Sequence, residues 1–486
     1  MMNTNSDCTA VEPETAAAEA AQLAPAAGSA SWADLLGTGN GMRVLALAGG
    51  TALHAINVYM VTTVMPSVVA DIGGLDYYSW NTTLFVVASI VGAALAAALA
   101  DAWGGKRAYL AGLATFSVGA TLCALATAMP WLLLGRSVQG LGGGVLVSLA
   151  YVLIPRVLAE RLWTRAMGLV SAMWGIATLA GPAIGGIFAQ GGHWRLAFWM
   201  LLPVAAVLAV IVAVWLPASG RGSASARVPF AKLALLALSV LAISFASLAA
   251  QRGLQIAGVV AGLLLAAWIL RIDRDAVVRL LPRSAFVDAR LIALYATIGL
   301  LAMSFTVEIF LPYFLQVIHG HEPLAAGYLT AVMAAGWSFG SMTSAGRAKF
   351  AAQAIRNGPL LMAAGLFALA WILPHVQGFQ AGAGFVVLLA ALLAVGIGVG
   401  MAWPHLLARV LIVAPAADSS HASTAISTVQ LYAMSLGAAL SGLIANGAGL
   451  TSPGGVPGAQ NAAAWLFGLF AVLVLAAALF ARRAVR

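Results

Sequence analysis

The stretch ALADAWGGKRAYLAG, residues 98–112, places one carboxylate, two glycines and two cations between two long apolar runs. Residues 80–100 before it and 108–129 after it carry no Asp, Glu, Lys or Arg. Each run has the roughly 20 residues that a bilayer crossing needs. A charged turn this short, between two crossings, is a tight connection at one face of a membrane. Asp101 can satisfy helix-end donors and pair across to a neighbouring helix, while Lys106 and Arg107 stand beside it. Two readings follow: a salt-bridge latch of a two-state machine, or ordinary turn chemistry with membrane-sided positive charge.

The rest of the chain repeats the pattern. Hydrophobic residues make up 62% of 486 and charged residues 8%, with a mean hydropathy of +0.98. Soluble domains carry about 25% charged residues, so the fold class is an all-α polytopic membrane protein. Apolar segments start near Arg43, Trp80, Ala108, Trp131, Ala166, Trp194, Ala231, Leu254, Leu291, Leu324, Pro359, Gly382, Ser423 and Ala462. That is fourteen expected crossings, the seventh and eighth separated only by Gln251, Arg252 and Gly253. With the N-terminus inside, 21 of the 24 Lys and Arg residues fall in cytosolic loops. Only Arg195 and Arg252 fall outside, and Arg136 lies within a span. This asymmetry supports fourteen crossings with both termini cytosolic.

The net charge of +9 is dispersed in these loop blocks, which excludes a nucleic-acid groove as its reason. Cys8 and Cys123 make neither a disulfide framework nor a metal-site spacing. No nucleophile–base pair, metal cluster or phosphate loop is present, so an enzyme, a cofactor and a bound metal are not expected. Residues 1–41, rich in Ala and acidic at intervals, lack the basic and apolar regions of a cleavable signal. They are expected to form a disordered cytosolic tail.

Charged residues inside a span face a bundle interior or a wet cavity, because lipid exposure is costly. Two are placed there. Arg136 lies in LLLGRSVQGLGGG with Gln139 one turn on, beside Gly140, Gly142, Gly143 and Gly144. Glu308 lies in MSFTVEIFLPYFLQ, with Ser304 and Pro312 four residues to either side on one helical face, and Tyr313 and Gln316 beyond. Both are candidates for proton and charge handling. His54 is a third candidate, and the alternative for it is a neutral hydrogen-bonding role. Asn57, Gln139, Trp174, Tyr313, Gln316 and Gln430 offer amphipathic surface to a substrate cavity.

A second organised stretch, GLVSAMWGIATLAGPAIGG at residues 168–186, contains Gly181, Pro182, Gly185 and Gly186. The proline frees a carbonyl, and the glycines let another backbone approach.

With these motifs the chain resembles the major facilitator superfamily, and within it the fourteen-helix drug:proton antiporters (EmrB/QacA type). The 98–112 turn is similar to the superfamily's cytosolic signature at Leu99, Asp101, Gly104 and Lys106, and departs from it at Ala97, Ala102 and Gly105. Arg136, Gln139 and Gly140 resemble the fourth-helix R-x-x-Q-G element. GPAIGG resembles the antiporter motif of helix five, with Ala177 in place of its middle glycine. HWRLAFWMLLP is similar to the opening of helix six, and FLPYFLQVIHGHEPLAAG to the start of the second half. SMTSAGRAKF after the tenth segment is a degenerate echo of the Asp101 turn.

The resemblance implies two six-helix bundles, residues 42–216 and 288–486, with cytosolic loops and two inserted helices over 217–287. It implies proton-coupled export of small hydrophobic or amphipathic compounds by alternating access in a plasma membrane. The expected partners are protons, a small-molecule substrate and lipid, with no nucleic acid. A dedicated exporter of a secondary metabolite or lipid is the alternative, and a non-transporting scaffold or receptor a more distant one. The first-helix Asp of that pattern is absent: aligned on Pro66, Asn57 occupies its position and Thr62 that of its Asn.

Overall fold

The computed structural model describes residues 32–37, 39–218, 228–276, 278–345, 347–376, 382–415 and 418–485. Most of the expected tail, including Cys8, and the loop cations Arg221 and Arg227 lie outside the described residues.

The long helices are α1 (Asn40–Ile72), α2 (Trp80–Trp103), α3 (Gly105–Ala124), α4 (Met129–Val157), α5 (Trp163–Gln190), α6 (Trp194–Trp215, interrupted at Met200) and α7 (Phe230–Ala246). They continue with α8 (Arg252–Arg274), α9 (Ala289–Val317), α10 (Pro323–Ser344), α11 (Ala351–His375), α12 (Ala383–Val413), α13 (Ser419–Gly447) and α14 (Gly455–Val485). Every expected apolar segment falls on one of them. Among the described residues, 11 helices are long and apolar enough to cross a membrane. Three of the fourteen fall short of that measure: α7 has 17 residues, and α3 and α10 are diluted by Gly, Ser and Thr.

Two sets of six helices pack by one rule. In the first set α1 touches α4, α5 and α6, α3 touches α4 and α6, and α2 touches α4. In the second set α9 touches α12, α13 and α14, α11 touches α12 and α14, and α10 touches α12. Each of these six contacts of the first set recurs eight helices later, whereas the α2–α3 contact does not. The seams between the sets obey the same relation, since α5 meets α10 and α13 meets α2. The α7–α8 hairpin breaks it by covering only the α2–α13 seam, where Leu233 and Leu236 pack with Ile90, and Ser239 Oγ lies 2.8 Å from Tyr432 Oη.

Small residues make these contacts close. A Cβ on Gly92 would stand 2.1 Å from Leu141 O, and one on Gly144 2.1 Å from Ser89 O. The α2–α4 crossing is therefore backbone against backbone, reinforced by Ser89 Oγ donating to Gly140 O at 3.0 Å. At the 98–112 turn, Gly104 adopts φ 83°, the left-handed conformation that glycine enters without a steric penalty.

One helix departs from the expected geometry. α9 tightens to a 3₁₀ turn over Thr306–Phe310. Pro312 has no N–H to give to Glu308 O, and Leu311 N–H binds that carbonyl instead. A 3₁₀ residue rotates the chain about 20° more than an α-helical one. Ser304, Glu308 and Pro312 therefore do not share the single α-helical face expected from their spacing.

Candidate functional site

Three helices, α1, α4 and α5, bring Arg136, Asn57, Gln139, His54 and Trp174 into one cluster. Arg136 on α4 is 2% exposed, and its Nη1 donates to Gln139 Oε1 at 2.6 Å and to Asn57 Oδ1 on α1 at 3.3 Å. Its guanidinium carbon lies 4.0 Å from the ring centroid of Phe85 on α2, a cation–π contact. His54 stacks on the same ring at 5.1 Å and meets Trp174 of α5 edge-on at 6.0 Å. Gly143 makes room for His54, because a Cβ there would stand 2.3 Å from Nδ1. The Gln139 partnership was legible as i, i+3 spacing. Phe85 was not singled out in the sequence, since an aromatic in an apolar run carries no distinguishing mark.

Glu308 stands apart, on α9 in the other half. It is half-buried, and its Oε2 is enclosed without a hydrogen-bond partner. No ion pair reaches it or Arg136 among the described residues. It lies within electrostatic reach of the Tyr59 phenol on α1, which also meets Thr178 of α5. Tyr313, one turn on, meets Tyr78 edge-on at 5.5 Å, and Tyr78 stacks on Phe310 at 4.8 Å. The Gln316 amide nitrogen is also enclosed and unpartnered. Gln430 is half-buried on α13.

The organised motifs lie on the contacts between helices. Asp101 pairs with Arg156 at the end of α4 at 2.9 Å, a partner within the same half. Lys106 is half-buried, Arg107 is exposed, and neither forms an ion pair among the described residues. A Cβ on Gly105 would stand 2.5 Å from Leu153 Cδ2, so the glycine at this departure from the signature lets the Leu153 side chain of α4 pack close against α3. On α5, Gly181 and Gly185 face α1: added Cβ atoms would stand 2.4 Å from Tyr59 Cβ and 2.6 Å from Met60 O. Gly186 faces α10, 2.5 Å from Leu324 Cα by the same measure, and Pro182 lies against Gly327. Gln190 closes this end by a hydrogen bond to Glu322. On the other seam Asn446 Nδ2 donates to Asp76 O at 2.9 Å.

Both interhalf contacts are thus at the end of the bundle opposite the chain termini. Toward the termini α5 and α10 part. Gly168 and Gly175 would meet no atom within 4 Å, and Met342 is 80% exposed. At the sealed end Trp194 and Arg195 tie α6 to α1, both donating to Asp71 at 3.1 and 2.6 Å.

Comparison with known proteins agrees with this architecture. A protein of Mycobacterium tuberculosis named as a probable multidrug-efflux transporter is 39% identical over 458 residues, spanning 92% of this chain and 94% of the relative. Multidrug resistance protein 3 of Bacillus subtilis is 27% identical over 62% of this chain and 60% of its own length. Among solved structures, a POT family transporter in complex with 5-aminolevulinic acid superposes with a TM-score of 0.67 at 15% identity, covering 94% of this chain and 99% of that one. A bacterial homologue of the lysosomal transporter Spinster gives 0.64 at 18% identity, covering 91% and 96%. The family model described as Major Facilitator Superfamily matches residues 47–438. The chain belongs to the Major Facilitator Superfamily.

Proposed function

We propose that this protein is a proton-coupled exporter of small hydrophobic or amphipathic compounds, working by alternating access in a plasma membrane. All fourteen long helices cross the bilayer, with both termini in the cytosol. Residues 42–216 and 288–486 form the two moving halves, and the α7–α8 hairpin within 217–287 is an insertion. The end sealed by Gly186, Leu324, Gln190 and Glu322 is then the outer one, and the conformation described is open to the cytosol.

The observation that carries the reading is the separation of two unpaired ionisable groups on the two halves. Arg136 is held by amides and an aromatic ring, and Glu308 is half-buried with one oxygen enclosed and unpartnered. A carboxylate in such a place can exist as neutral acid or as anion, and so can carry a proton across when the halves rock. The Mycobacterium relative's name supports drug-like compounds as the cargo.

The test is efflux of lipophilic dyes of each charge class, anionic and zwitterionic as well as the cation ethidium, from proteoliposomes under an imposed pH gradient. Uphill movement that collapses with a protonophore supports coupling. Saturable flux indifferent to the gradient would replace the exporter with a facilitator, and absence of saturable flux for ethidium and a panel of lipophilic dyes would end the reading.

A further inference from the structure

The Arg136 cluster is rich in donors and lacks an acid. Arg136 uses Nη1 on the oxygens of Asn57 and Gln139. That choice turns both amide nitrogens away from it. Asn57 Nδ2, Gln139 Nε2, Arg136 Nε and His54 Nδ1 are all enclosed with no hydrogen-bond partner. Asn57 and Gln139 are fully buried, Arg136 is 2% exposed and His54 7%. The sulfur of Cys123 donates elsewhere, to Leu132 O at 3.6 Å. No carboxylate pairs with Arg136 among the described residues, and Glu308 is not an ion-pair partner.

Buried donors are nearly always satisfied, because leaving one unpaired forfeits its hydration. Three unpartnered N–H groups and a ring nitrogen around one guanidinium call for an acceptor with several lone pairs and negative charge. The half-buried Trp174 borders the cluster through its edge-on contact with His54. The next residue, Gly175, would have no atom within 4 Å of an added Cβ, so α5 borders open space one residue on.

We propose that this cluster is the receptor for an acidic group of the substrate, so that the cargo is an amphiphile bearing a carboxylate, as a monoanion or a zwitterion. The carboxylate takes Arg136 Nε and the amide nitrogens of Asn57 and Gln139, and the apolar body lies against Phe85 and Trp174. Asn57 is the selectivity element. An Asp there would place its own carboxylate at the Arg136 guanidinium, neutralise the cation and repel an acidic ligand. The inference rests on the exporter reading for the word substrate, but its test reads binding and not flux.

The purified protein in lipid nanodiscs is titrated with dansyl-labelled undecanoic acid and with the matching dansyl undecylamine. The wild type is expected to bind the acid at least about tenfold more tightly than the amine. Asn57→Asp should lose that preference or reverse it, whereas Asn57→Gln, which keeps the amide, should retain the sign. Arg136→Gln should bind both probes equally. Because Arg136 is buried and its variant can misfold, Asn57→Asp is the deciding variant, with thermal unfolding as the check that it folds. Equal binding of acid and amine by the wild type overturns the proposal, as does an unchanged acid preference in folded Asn57→Asp. Gradient-driven efflux is measured separately, so loss of coupling with intact acid binding removes the exporter reading and leaves the receptor standing.

Discussion

Substituting Gly186 by Ala adds one methyl group where the two halves touch. Its carbon would stand 2.5 Å from Leu324 Cα and 2.7 Å from Leu324 Cδ1. The Cδ1 can rotate away, but the Cα is backbone and moves only if α10 moves. Overpacking of this kind costs about 1–3 kcal/mol. Ala also gains up to about 1 kcal/mol over Gly inside a helix, in either conformation. Gly168→Ala, on the same helix with nothing within 4 Å, isolates that second contribution. The difference between the variants is the contact itself, and it is present only while α5 lies on α10. At about 1.4 kcal/mol per tenfold, the population sealed at this end should fall roughly 5- to 150-fold. Nitroxides at Thr127 and Val456, exposed on opposite halves near this end, report the separation by pulsed electron resonance. Cys123 and Cys8 are first replaced. Gly186→Ala should move weight from short to long distances, and Gly168→Ala should not. Overlaid distributions for the two variants would refute the view that this contact sets the conformational balance.

Three further outcomes follow from the same geometry. Glu308→Gln keeps shape and removes the exchangeable proton, so uphill efflux should be lost while downhill exchange persists; wild-type accumulation by the variant would take Glu308 out of coupling. Asp101→Asn breaks a partly exposed pair with Arg156 worth about 0–1 kcal/mol, so thermal stability should hardly change while turnover slows. A normal rate would reduce the pair to turn chemistry. Cysteines at Thr127 and Val456 should react with an impermeant maleimide added outside cells, and those at Arg107 and Arg483 only after permeabilisation; any crossover between the two groups breaks the proposed topology.

Helix positions were legible because apolar runs and charged turns alternate, but the boundaries obey two different rules. Composition marks where lipid begins, and hydrogen bonding marks where a helix begins. α11 shows the difference. Its apolar run starts near Pro359, yet the helix starts at Ala351 with Gln353, Arg356 and Asn357 in its polar first turns. Local spacing also exposed the Arg136–Gln139 pair. Partners far apart in the chain left no trace: Asn57 lies 79 residues from Arg136, and Arg156 lies 55 from Asp101. The 3₁₀ turn at Glu308 was readable in principle from Pro312, whose missing N–H must displace the bond to Glu308 O. Treating the segment as an uninterrupted α-helix concealed it.

The scaffold repeats itself eight helices on, and the polar groups do not. α1 carries His54 and Asn57 where its counterpart α9 carries Glu308, and α4 carries Arg136 within its span, in a contact set that α12 reproduces with its one cation, Arg409, only four residues from its end. Backbone packing explains why the repeat persists. Contacts such as Gly92 on Leu141 O and Gly396 on Met333 O, at 2.1 and 2.0 Å for an added Cβ, tolerate nothing larger in either half. Polar side chains face no such constraint, since each needs only its own local partners. Symmetric packing therefore lets the halves rock as equivalent bodies, while donors collect in one and the lone carboxylate in the other. A ligand bound at Arg136 and a proton bound at Glu308 need not compete for the same atoms. Under the proposed proton-coupled reading, their coupling would pass through the α1–α5–α10 contacts that join the halves, where Tyr59 lies against Gly181 within electrostatic reach of Glu308, and Gly186 lies on Leu324.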